Sequence, residues 1–231
     1  SLDSKKLPYL EQYMLHKIYT LNEELNKNFK LYNFHSLYKE LLNFCTVDLS
    51  AFYFDIRKDT LYCDNKGSEK RRSTILLLNI ILNSLLRWFA PILSFTTEEI
   101  YRLLFKEKKS IHLEKFLTFP DQFKNEELEK KWNDLIKIRN ICNISIEEKR
   151  ASKEIGSSLE ADLKIQLDQK LKNTIDGIDF SEICITSNAE VSFKEDSEII
   201  VETFKAKGNK CSICWKINEA GCGRSVCPQS S

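Results

Sequence analysis

Several things are missing from this chain, and each absence narrows what it can be. No run of about 18 apolar residues occurs. The densest stretch, Ile75 to Leu86, is interrupted by Asn79, Asn83 and Ser84, so it reads as a buried helix and no membrane partner is expected. The first residues, SLDSKKLPYL, contain neither an initiator Met nor an apolar core with a small-residue cleavage pattern. No signal peptide is therefore expected, and the chain reads as a fragment of something longer. A Gly-rich phosphate loop and a paired-carboxylate site are both lacking, which leaves the sequence without a visible catalytic centre. Large net charge is lacking too: 35 basic and 34 acidic residues give +1. Bulk electrostatics do not draw such a chain to nucleic acid, so any such site must be a local patch.

What remains is a globular composition. With 231 residues, 42% hydrophobic and 30% charged, the chain can bury a proper core and hold one large or two small domains. Four of its eight Cys are scattered (Cys45, Cys63, Cys142, Cys184) and four crowd the C-terminus. That distribution suggests a reducing compartment and one metal site, hence a cytoplasmic location, whereas a disulfide framework is expected mostly in small secreted domains.

Helical periodicity dominates the first two thirds. Leu10, Met14, Ile18, Leu21, Leu25 and Phe29 step at three and four residues, with Pro8 opening the helix. A second helix is expected from about Asn33 to Phe54, with Phe34, Tyr38, Leu41, Cys45, Leu49 and Phe52 on one face. It should stop where Asp55, Arg57, Lys58 and Asp59 crowd together. After a turn at Gly67, a third helix begins near Glu69, apolar on most sides, as suits the middle of a bundle. Pro91 breaks it, and Thr96 with Glu99 reads as a capping box for a fourth helix, Thr97 to about Lys106, turning Ile100, Leu103 and Leu104 inward. A connector containing His112 and Pro120 leads to a long fifth helix from near Asn125, with Leu128, Trp132, Leu135, Cys142 and Ile146 on its apolar side. His112, a lone histidine on a connector, reads as structural.

Near Gly156 the period changes from 3.6 to 2. Leu159, Ala161, Leu163, Ile165 and Leu167 alternate with polar residues, as do Ala189 to Phe193 and Ile199 to Thr203. With a short helical piece near Gln169 to Asp176, these predict a small antiparallel sheet. The tail then reads KCSICWKINEAGCGRSVC from Lys210 to Cys227. Cys211 and Cys214 form a C-x-x-C knuckle, and Cys222 with Cys227 would complete a tetrahedral thiolate site for one zinc ion. A redox pair is the alternative for a C-x-x-C, but redox motifs usually open a helix within a βαβ unit.

Four stretches carry a family resemblance: Asp48 through Asp64, WFAPILSFTTEEIY at Trp88 to Tyr101, IGSSLEA at Ile155 to Ala161, and Lys-Cys-x-x-Cys-Trp-Lys at the tail. Together they resemble the C-terminal region of the bacterial isoleucyl-tRNA synthetases, class I aminoacyl-tRNA synthetases. Two departures stand in the tail. The second knuckle is C-x-x-x-x-C where the family has C-x-x-C, and Ile213 stands where the family often has Arg.

The resemblance implies a mainly α fold: an antiparallel helical bundle for anticodon binding at residues 1–122, a long helix with a small α+β junction domain at 123–206, and a four-cysteine zinc finger at 207–231. It further implies an enzyme that joins isoleucine to its tRNA using ATP and Mg2+. The H-I-G-H and K-M-S-K-S signatures of that chemistry are absent, so this region alone should bind tRNA(Ile) and not charge it. Expected partners are the tRNA and the catalytic and editing domains of the same polypeptide, in a monomer. Expected RNA contacts are Arg57 and Lys58 at the corner, Arg71 and Arg72 opening the third helix, and Trp215, Lys216 and Arg224 in the finger. No residue is expected to be catalytic. A non-enzymatic helical zinc-ribbon module that binds nucleic acid or a protein is the other class of answer.

Overall fold

The computed structural model describes residues 3–106 and 109–219. The chain divides into two compact units, residues 1–55 with 69–126, and residues 56–68 with 127–231.

The first unit is a bundle built on α1 (Tyr9–Lys30), α2 (Phe34–Asn43), a π-helical segment (Phe44–Phe54), α4 (Glu69–Phe89) and α5 (Ser94–Phe105). Leu10, Met14, Ile18 and Leu25 of α1 are buried as their spacing predicts, whereas Leu21 of the same expected face is half-buried and Phe29 is exposed. Phe44 and Trp88 meet edge to face, 6.1 Å between ring centres. Several polar groups inside pair with one another: the Trp88 indole donates to Asn22 Oδ1 at 3.0 Å, Asn22 Nδ2 donates to the Leu117 carbonyl at 3.1 Å, and the Tyr53 hydroxyl donates to Glu11 Oε1 at 3.1 Å.

The second helical run departs from an ideal α-helix. Its buried residues are Leu37, Leu41, Phe44, Leu49, Phe52 and Tyr53, while Phe34 and Tyr38 are exposed. Steps of five and four residues from Phe44 to Leu49 to Tyr53 suit the wider i→i+5 turn of a π-helix, which rotates the apolar face away from a 3.6-residue extrapolation. The helix also continues past the charged corner where it was expected to end, as α3 (Asp55–Cys63). The capping box is not formed either. The α5 helix starts at Ser94 with no side-chain cap, and the Thr97 hydroxyl donates to the Leu93 carbonyl at 2.9 Å. Thr97 and Tyr101 face inward, whereas Ile100, Leu103 and Leu104 are exposed, reversing the expected orientation. Glu98 braces the connector instead, accepting from the Ser110 hydroxyl at 2.8 Å and the Ile111 amide at 2.9 Å.

The second unit holds α3, the long α6 (Glu126–Ala151), the strands β1 (Ala161–Asp168), β2 (Asn188–Lys194) and β3 (Ile200–Lys205), and α7 (Phe180–Ile183). Strand β1 lies in the centre, and alternate residues Ala161, Leu163, Ile165 and Leu167 are buried. The sheet is mixed, not antiparallel: β1 pairs with β3 antiparallel but with β2 parallel, Leu163 opposite Ala189 and Leu167 opposite Phe193. A parallel pair needs a crossover, and the segment from Gln169 through α7 to Ser187 provides it. The expected apolar side of α6 is buried throughout, and Ser145 shares a hydrogen bond with Thr203 of β3 at 2.7 Å. Cys142 and Cys184 are buried. A hydrogen bond to Cys142 and burial push the Cys184 thiol well above its ordinary value.

Among the described residues no helix is long and apolar enough to cross a membrane.

Candidate nucleic-acid interface

The site is built on a hairpin. Short strands β4 (Asn209–Lys210) and β5 (Ile217–Asn218) pair antiparallel, Lys210 opposite Ile217, and the C-x-x-C stretch forms their loop. Two backbone bonds shape it: the Cys211 amide donates to the Lys216 carbonyl at 2.8 Å and the Trp215 amide to the Cys211 carbonyl at 3.0 Å. Gly208 enters the hairpin at φ +118°, where an added Cβ would come within 2.4 Å of the Asn218 carbonyl carbon. Only glycine allows that approach. Ser187, just ahead of β2, holds the far strand by accepting from the Ile217 amide at 2.6 Å.

This loop turns its sulfurs in and its indole out. Cys211 and Cys214 are buried, while Trp215 is 60% exposed. Trp215 also sits at φ +65°, a left-handed conformation uncommon for a bulky residue, of the kind that surrounding structure must hold in place. Lys210 Nζ lies over its ring at 6.0 Å from the centroid and 3.8 Å from Glu160 Oε1. Glu160, from the IGSSLEA junction, also accepts the Gly156 amide at 2.9 Å. A cation paired to a carboxylate and held over an exposed indole makes an amphipathic ledge.

The corner residues are split by α3. Its inner face carries Ile56, Arg57, Thr60 and Cys63, all buried, and its outer face carries exposed Lys58 and Tyr62. Arg57 was expected to meet RNA. It is instead 2% exposed and donates to Glu182 Oε1 at 2.7 Å, inside the unit. Nearby, Arg139 Nε donates to the Ile183 carbonyl at 2.7 Å, so two guanidiniums grip the short α7. Lys58 is exposed and Lys216 half-buried. In the bundle unit, Arg72 at the start of α4 is exposed and Arg71 half-buried. Cys222, Arg224 and Cys227 lie outside the described residues.

Sequence reasoning overlooked three residues: Cys63, which is buried with Cys211 and Cys214; Lys210; and Tyr62, 85% exposed. For Lys210 the signal lay in the knuckle motif itself. For Cys63 and Tyr62 there was none, because the helix was expected to end before reaching them.

As to metal, Cys211 and Cys214 supply two buried sulfurs on a loop too small to have a core of its own, a donor set suited to half of a tetrahedral thiolate site. Among the described residues no cluster of three or more His, Cys, Asp or Glu could hold an ion.

Residues 11–166 match the family described as "Anticodon-binding domain of tRNA ligase". The chain belongs to the anticodon-binding domain family of tRNA ligases. Its similarity to individual proteins extends further along the chain. It is 65% identical over 224 residues to the isoleucine–tRNA ligase of Pelagibacter ubique, covering 97% of this chain and 25% of that protein. Against the isoleucine–tRNA ligase of Agrobacterium fabrum it is 38% identical over 222 residues, covering 91% of this chain and 23% of the relative. Against that of Gluconobacter oxydans the figures are 37% over 213 residues, 91% and 22%. The chain thus spans about a quarter of the length of these relatives.

Proposed function

We propose that this chain is the tRNA(Ile) anticodon-recognition region of an isoleucine–tRNA ligase. The observation that carries the reading is Trp215: an indole displayed at the surface in a left-handed turn, with Lys210 over its ring, in a chain of the anticodon-binding family. An unpaired loop base stacks on such a ring, and stacking is worth about 1–3 kcal/mol per base. We assign phosphate contacts to the exposed Lys58 and Arg72 and to Lys216, each within its own unit, with Arg71 and Arg224 as further cationic contacts. Arg57 positions α3 and does not touch RNA.

On this reading, Cys211, Cys214, Cys222 and Cys227 hold one zinc ion, which supplies a cross-link in place of a hydrophobic core. ATP, Mg2+ and isoleucine are handled by catalytic and editing domains elsewhere in the same polypeptide. The whole works as a monomer in the cytoplasm. This region contributes binding energy and discrimination to the ligation.

The test is direct. The purified chain should bind tRNA(Ile) with an affinity that falls steeply between low and moderate salt, as phosphate neutralisation requires, and should produce no isoleucyl-tRNA. Metal analysis should find one zinc per chain. Equal binding to duplex DNA would favour a general zinc-ribbon module; salt-independent binding would count against phosphate contacts, and isoleucylation by this chain alone would overturn the division of labour.

A further inference from the structure

We infer that Cys63 is a positioning residue for the C-x-x-C knuckle. It ties the last turn of α3 to the loop that presents Trp215, and it acts without ligating metal.

Three observations carry this. Cys63 is buried, and its neighbours in one compact cluster are Cys211 and Cys214, although it lies roughly 150 residues away in sequence. Its Sγ lies 3.7 Å from the Ile213 carbonyl oxygen, a thiol donating to the backbone between the two knuckle cysteines. That carbonyl belongs to the loop closed by the Trp215 amide bond to Cys211. A hydrogen bond at the apex of a six-residue loop restricts the peptide planes on either side of it, so it sets both the convergence of the two sulfurs and the outward angle of the Trp215 ring. The opposite end of α3 is held by Arg57 on Glu182. The helix therefore has two anchors, and the cysteine one sits under the knuckle.

A thiol suits this role. It is small, packs as an apolar group against the loop and still offers one weak donor. On the zinc reading it would act as an outer partner, orienting through the Ile213 carbonyl the two cysteines that flank it. Removing such partners typically lowers metal affinity by about 10–100-fold. The inference deepens the zinc reading and rests on it for the affinity arm of the test, although the loop contact itself does not depend on metal.

The experiment uses the full chain with Cys63→Ala and Cys63→Ser. Zinc affinity is measured by competition with a chelator, and cobalt(II) substituted for zinc reports the number of thiolate ligands through its charge-transfer absorption. Amide exchange is read at Cys211 and Trp215. Cys63→Ala should weaken zinc binding by about tenfold and speed exchange of both amides. Cys63→Ser, which restores a donor, should recover most of each effect, and cobalt absorption per bound ion should be unchanged in both variants. Wild-type affinity and exchange in Cys63→Ala would overturn the inference. Loss of about a quarter of the cobalt charge-transfer intensity would overturn it differently, making Cys63 one of four ligands. If the wild-type chain takes up no metal, the zinc reading fails by itself; the amide exchange of the two variants, ranked Ala faster than Ser faster than wild type, still decides the joint.

Discussion

Arg57 Nη1 donates to Glu182 Oε1 at 2.7 Å, an ion pair joining residues 125 positions apart within one unit of the chain. The arginine is 2% exposed and the glutamate side chain 25% exposed. The pair converts the most RNA-like residue of the charged corner into an internal strut. Replacing the carboxylate removes the negative charge of this pair, and breaking a fully buried pair costs about 3–5 kcal/mol. Glu182 keeps some contact with water, so Glu182→Gln should destabilise the second unit by about 2 kcal/mol. Urea unfolding followed by Trp132 fluorescence measures this, and an unchanged midpoint would show that the pair contributes nothing.

Trp215→Ala should reduce tRNA affinity by about tenfold, or 1.4 kcal/mol, with thermal stability nearly unchanged. The exposure of the ring is the reason to expect binding and folding to separate here. Filter binding and a melting curve on the same preparation decide it. A lowered melting temperature with normal affinity would make the ring structural.

Gly208→Ala should unpair the β4–β5 hairpin. Its φ of +118° is strained for any L side chain, and the new Cβ would collide with the Asn218 backbone. Amide exchange at Cys211 should accelerate by about tenfold or more while that of α1 stays as in wild type. Equal protection in the variant would mean the hairpin can shift to make room.

Glu98 predicts a pH dependence. The Ser110 hydroxyl above all, then Arg102 and the Ile111 amide, hold its carboxyl below the ordinary carboxylate range, outweighing partial desolvation. A carboxylate with a depressed folded-state value contributes stability that is present above the unfolded value and is lost as pH falls through the folded one. The turn at Ile111–Leu113 should therefore keep its amide protection at neutral pH and lose it in acid. Glu98→Gln should abolish most of that acid sensitivity. A wild-type acid response in the variant would assign the sensitivity to another group.

Arg72→Glu should weaken tRNA binding more than Lys130→Glu. Both residues are exposed, but Arg72 lies in the first turn of α4, where cations oppose the helix dipole by roughly 0.3–1 kcal/mol and phosphate would offset that cost. Equal losses at both positions, measured at one salt concentration, would leave Arg72 an ordinary surface charge.

The chain's own pattern determined the elements whose burial is periodic over many turns. Leu10, Met14, Ile18 and Leu25 in α1, the apolar side of α6 and the alternation of β1 all lie where their spacing put them, because a long amphipathic segment has only one way to hide its apolar face. The C-x-x-C motif was legible for the opposite reason: it is local, whereas the exposure of Trp215 was decided by the fold. What tertiary structure decided was everything resting on a small energy difference or a distant partner. The π-helical segment Phe44–Phe54 rotated the second helix's face, a hydrogen-bond register that core packing selects and local periodicity does not reveal. On α5, Thr97 and Tyr101 were buried in preference to Ile100, Leu103 and Leu104, because which side of a helix meets the core depends on its neighbours as well as on apolar character. The crossover through α7 made β1 and β2 parallel, a choice that alternation cannot express. And Arg57 with Glu182, like Cys63 with Ile213, became contacts only once the chain had folded back over more than a hundred residues, a distance across which no periodicity carries information.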